Sequence, residues 1–121
     1  MDSEEFNKLV AKAVEDLPRE FIDMLENVDI VVEDYPTPEQ LGKSELGRDE
    51  TLLGLYEGIP QTSRTTGYSM VLPDKITIFQ KPIEAMCHNS DEIYAEVKKT
   101  LRHEIAHHFG ISDDRLRELE G

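Results

Sequence analysis

The chain has 121 residues, 38% hydrophobic and 32% charged, which suits one soluble domain (residues 1–121) around one core. Its 26 acids against 13 bases leave a net charge of −13, a field that repels phosphate backbones, argues against nucleic-acid partners and can favour basic peptides. No apolar run reaches the length of a membrane span, the opening "MDSEEFNKLV" lacks a signal-type apolar stretch, and the lone Cys87 excludes an intrachain disulfide, so a cytoplasmic protein without membrane contacts is expected, its oligomeric state open with a monomer slightly favoured.

In chain order, Phe6, Leu9, Val10, Ala13, Val14 and Leu17 recur at helical spacing and form one stripe. Asp2 with Glu5 can cap that helix. Pro18 suits the first turn of a second, short helix carrying Phe21, Met24 and Leu25. "VDIVVED", residues 28–34, is short and β-branched and reads as a strand. Thr37, Pro38 and Gln40 mark another capped helix start, kept short by Gly42 and Gly47.

"TLLGLYEGI", residues 51–59, reads as a strand, "PQTSRTTG" as a loop, and "YSMVL" as a brief strand. "KITIFQ", residues 75–80, is a further strand ended by Pro82, with "EAMCHNS" as a connection. Asn89 or Ser90 can cap a long helix over residues 91–109, with Glu92 completing a capping box if Asn89 is the cap. The pattern predicts a mixed α/β or α+β domain of three or four strands.

That last helix ends in "TLRHEIAHHFGISDDRL", which packs three of the four histidines into six positions. His103 and His107 are separated by about 40° and about 6 Å on a helix, so both imidazoles can reach one metal ion. Glu104, about 100° round, stands too far off to ligate beside them and can instead hydrogen-bond a water on the metal. Two neutral nitrogens for zinc and one carboxylate as general base are the physical content of H-E-x-x-H.

On a continued helix Asp113 would be carried out of reach of His107. Gly110 stands where a left-handed residue can reverse the chain and bring Asp113 back. A His, His, Asp set leaves the fourth tetrahedral position to water, as a catalytic zinc site requires. Asp114 is the alternative third ligand, and Ser112, Asp113 or Asp114 can equally cap the terminal helix.

His108 falls about 140° round, on the apolar face with Val97, Leu101 and Ile105. It reads as a core histidine or a support for a ligand, with a substrate contact as the alternative. Thr100 and Glu96 share the metal-facing side and either support the ligand rings or are simply solvated or packed. His88 reads as a plain surface residue, and Cys87 as a small loop residue or partly buried thiol.

The run His103-Glu104-x-x-His107-x-x-Gly110-x-x-Asp113 resembles the extended zinc signature of zincin and metzincin peptidases. With "LGLYEGIPQTSR" and "LPDKITIFQKPIE", the chain from about Leu17 to Leu119 resembles the small bacterial zincin-like metallopeptidases, or minimal zincins. The resemblance implies an α+β fold, a small mixed sheet packed by helices with a C-terminal zinc-binding active-site helix. It implies a zinc metallopeptidase acting on a peptide or protein substrate. By it, His103, His107 and Asp113 match the Zn²⁺ ligands and Glu104 the catalytic glutamate. Metzincins place a methionine turn beneath the metal; eight residues follow Asp113 here and none is Met, so the floor of the site is expected to come from elsewhere or to be missing.

Tyr68, Arg64 and His108 are candidate donors to a developing oxyanion. By analogy with zincin-like sheets, residues 67–72 can pair with an extended peptide. Two other readings are a non-catalytic zinc-binding interaction module and a metal-dependent RNA-processing hydrolase. Structural zinc sites usually close with four ligands rich in Cys, which this motif does not offer. Ribosomal RNA maturation proteins with a similar motif ending in G-x-D-H lack the acid after the first His.

Overall fold

The amphipathic stripe at the N-terminus forms α1 (Ser3–Glu15), whose first turn is closed by the Asp2 carboxylate accepting from the Glu5 N–H at 2.8 Å. Phe6, Val10 and Ala13 are buried along it, and Leu17 just beyond its end. The computed structural model describes residues 1–43, 51–58 and 73–120, apart from the side chains of Asp113, Leu119 and Glu120. The expected loop at residues 60–67 and the brief strand at 68–72 lie outside the described residues.

Pro18 turns the chain into α2 (Arg19–Met24), which buries Phe21. After β1 (Val28–Glu33), Thr37 and Gln40 satisfy one another at the start of α3 (Pro38–Lys43). The Thr37 N–H donates to Gln40 Oε1 and the Gln40 N–H to Thr37 Oγ1, the reciprocal box read from their spacing.

β2 (Gly54–Glu57) and β3 (Asp74–Phe79) complete a three-stranded mixed sheet of order β1-β3-β2 among the described residues. β1 runs parallel to β3 with Ile30 opposite Ile76, and β2 runs antiparallel with Tyr56 opposite Ile76. β2 is shorter than the alternation over residues 51–59 suggests. Gly54 already faces Ile78, and β3 ends at Phe79, so among the described residues Thr51 and Leu52 have no partner strand to extend along.

The stretch read as a connection after Pro82 is instead α4 (Gln80–Met86). Pro82 sits in its first turn, where a missing N–H breaks no intrahelical bond, and fully buried Ile83 supplies the packing that favours the helix.

α5 (Ser90–Phe109) starts at Asn89, whose side chain accepts from the Glu92 N–H at 2.9 Å. The Glu92 carboxylate closes the box by accepting from the His88 N–H and from Asn89 Nδ2. α5 packs against β2, β3, α1, α2 and α4. Ile93, Val97, Leu101 and Ile105 on α5 join Phe6, Ile76, Ile78 and Ile83 in the main core, each fully buried aliphatic side chain contributing ~1.5–3 kcal/mol. Leu52, Leu55 and Phe79 form a smaller cluster. No helix among the described residues is long and apolar enough to cross a membrane.

Candidate functional site

Gly110 ends α5 in the left-handed conformation, with φ of 67°, the one positive φ among the described residues. Its N–H reaches the His107 carbonyl at 3.4 Å, and the Ile111 N–H reaches the Ala106 carbonyl at 2.9 Å. Together these two bonds make a Schellman closure, and Ile111 packs back on the core beside Ala106. The chain reverses where the glycine stands and enters α6 (Asp113–Glu120).

Ser112 caps α6, its hydroxyl accepting from the Arg115 N–H at 3.1 Å. Asp113 is the first residue of that helix, and its side chain lies outside the described set. Asp114 turns outward, 87% exposed, in an ion pair with Arg117.

His103 and His107 stand one turn apart and line a groove of about 840 Å³ between the last turns of α5 and the chain through β2. No described residue hydrogen-bonds to either ring. Glu104, His108, Thr100 and Glu96 line the same groove, as do Leu53, Gly54 and Tyr56 from the strand side. Among the described residues no three His, Cys, Asp or Glu side chains converge on one point. The two imidazoles do fit half of a tetrahedral zinc set, being neutral-capable nitrogen donors with no described partner of their own.

Glu104 is mostly buried, and its Oε1 accepts from the Tyr56 N–H at 3.0 Å, a contact across 48 residues of sequence. Burial pushes its carboxyl above the usual carboxylate range, while the Tyr56 amide and nearby His107 draw it partly back. The carboxyl is thereby a stronger proton acceptor once ionised than an exposed glutamate.

His108 departs from the core position its wheel angle predicts. It is 39% exposed, and among the described residues the aromatic rings of Tyr56 and Phe109 lie against it. The two rings stack at 3.8 Å with an interplanar angle of 13°, and Phe109 meets both edge-on. The Tyr56 hydroxyl donates to Asp74 Oδ2 at 2.8 Å, and His108 Nε2 lies 3.9 Å from the same oxygen.

Tyr56 and Asp74 carry no motif, and sequence reasoning does not reach them. A glycine inside a strand is the one available signal, since it marks close backbone approach. A Cβ on Gly54 would sit 2.6 Å from Thr100 Cγ2, so β2 and α5 come together only because this residue has no side chain. Tyr68, Arg64 and residues 67–72 lie outside the described residues. Cys87 is half-buried at the end of α4, its thiol pushed up by burial and by Glu96 and Glu92.

The sequence profile of the zincin-like metallopeptidase family matches residues 25–121, a span that holds both imidazoles, Glu104 and the β2 strand. Among solved structures, a conserved hypothetical protein from Thermus thermophilus superposes with a TM-score of 0.55 at 22% identity, over 90% of this chain and 94% of that one. At that identity the likeness speaks for the fold. No protein with a curated description matches the sequence.

Proposed function

We propose, since this chain belongs to the family of zincin-like metallopeptidases, that it hydrolyses peptide bonds at the groove beside α5. His103, His107 and Asp113 would hold zinc, and Glu104 would act as general base. The observation that carries this reading is the pair of imidazoles, unbonded among the described residues, lining one groove with a half-buried, anchored carboxylate between them in sequence.

When bound, zinc supplies a water acidified toward neutrality and polarisation of the scissile carbonyl. Glu104 has one oxygen fixed by the Tyr56 amide, which leaves Oε2 to accept the proton of the attacking water. The same carboxyl then carries that proton to the leaving amine nitrogen. Burial raises this carboxyl above the ordinary carboxylate range, which makes it a better proton acceptor than an exposed glutamate. The Tyr56 hydroxyl is committed to Asp74 and is not an oxyanion donor in this arrangement. His108, which lines the groove, is the described candidate for that role.

Glu104→Ala is expected to reduce peptide hydrolysis by about 10²–10⁴-fold while zinc stoichiometry is retained. Asp113→Ala is expected to weaken zinc binding. A peptide-library cleavage assay with zinc quantitation on the same samples checks both. Full activity in Glu104→Ala overturns the mechanism, and zinc retention without any cleavage by the wild type points to a non-catalytic zinc module.

A further inference from the structure

We propose that Tyr56 is a positioning residue for Glu104, its backbone amide holding the carboxylate while its ring locks β2 to the last turns of α5. The proposal rests on the reading of Glu104 as general base.

The Phe79 N–H donates to the Leu53 carbonyl across the β2–β3 pair. Alternation along an antiparallel ladder then points the amides of Gly54 and Tyr56 away from β3, toward the outer side of the strand. An outward strand amide ordinarily goes to water or to another strand. Here the Tyr56 amide goes to Glu104 Oε1, at 3.0 Å.

That bond is one of three regular contacts between β2 and α5. Gly54 meets Thr100, the Tyr56 amide meets Glu104, and the Tyr56 ring stacks on His108. Residues 100, 104 and 108 form one row on the helix, with about 6 Å between successive members. Two strand residues span about 6.8 Å, so β2 lies in register along that row. The Tyr56 ring is fixed at its far end by the hydroxyl bond to Asp74, a residue of β3. Sheet and helix are thus clipped together on either side of the carboxylate. A base held by one oxygen loses rotational freedom and keeps the other oxygen directed at the groove, the kind of alignment that governs rate more than binding.

Two measurements test this. Amide hydrogen exchange on the metal-free protein needs no activity. The Tyr56 amide should be protected in the wild type and exchange at least about tenfold faster in Glu104→Ala, with the Leu55 amide, which faces β3, unchanged. Unchanged Tyr56 exchange overturns the proposal. In the zinc-loaded protein, Tyr56→Pro removes the N–H without taking a bond from the β3 ladder. It should lower kcat by about 10–100-fold with KM within about twofold and zinc content unchanged. Tyr56→Ala keeps the N–H and should lose less. Wild-type kcat in Tyr56→Pro overturns the proposal; a Tyr56→Pro chain that does not fold leaves the exchange measurement to decide. No cleavage by zinc-loaded wild type would overturn the peptidase reading, while exchange still reports whether Glu104 is held by Tyr56.

Discussion

The two halves of α5 share one helical period and meet different surroundings. From Asn89 to Leu101 the helix is capped, and Ile93, Val97 and Leu101 are buried against α1 and the sheet. From His103 onward Ile105 and Ala106 remain buried, yet His103, His107, His108 and Phe109 stand exposed. His108 has the phase of Val97 and Leu101 and a different fate: beside the end of β2 at Glu57 it stands exposed, and the described rings that meet it are those of Tyr56 and Phe109. Phase along a helix therefore sets which residues point toward the body of the protein. What they meet there depends on where the neighbouring strand ends.

This contrast is sharpest in stability. Leu101→Ala should destabilise the metal-free protein by about 2–5 kcal/mol, through lost burial and a residual cavity. His103→Ala, two residues on, should change the same quantity by less than about 0.5 kcal/mol while weakening zinc binding. Urea unfolding of both variants without metal is the check, and equal losses would erase the distinction between the halves.

A smaller effect is expected at the start of the helix. Asn89→Ala removes the acceptor for the Glu92 N–H and should destabilise by about 1 kcal/mol, with zinc affinity unaltered. Loss of zinc in that variant would mean that the two halves are coupled more tightly than their contacts suggest.

The smallest effect concerns pH. The folded Glu104 carboxyl is raised above its ordinary value of 4.5, first by burial, with the Tyr56 amide and His107 opposing. The folded state therefore holds this proton more tightly than the unfolded chain. The stability from that proton is fully present below about pH 4.5 and is lost as pH rises through the folded pKa. Glu104→Gln cannot ionise and can still accept from the Tyr56 amide. In metal-free protein its stability relative to wild type should increase as pH rises from below 4.5 to neutrality. A flat difference across that range would show that burial does not govern this carboxyl.

Much of the molecule is legible in the order of residues because the determining physics is local. The Asp2, Thr37 and Asn89 caps, the left-handed Gly110 and the apolar stripe of α1 each depend on residues within one or two turns. The i,i+4 spacing of His103 and His107 is likewise a property of one helix. α4 escapes such a reading for the converse reason, since a proline normally ends a strand or helix pattern and only the burial of Ile83 shows that it opens a helix here.

The sequence by itself determined the helix that carries the histidines and the reversal that ends it, both through bonds between near neighbours. The meeting of Glu104 with Tyr56, the stack of Tyr56 on His108 and the hold of Asp74 on the hydroxyl were decided only by tertiary structure. They join residues 18 to 52 positions apart, through a strand edge whose orientation follows from pairing with β3 and whose approach to α5 depends on the missing side chain of Gly54. Neither periodicity nor spacing encodes such a contact, because it exists only once sheet and helix have packed.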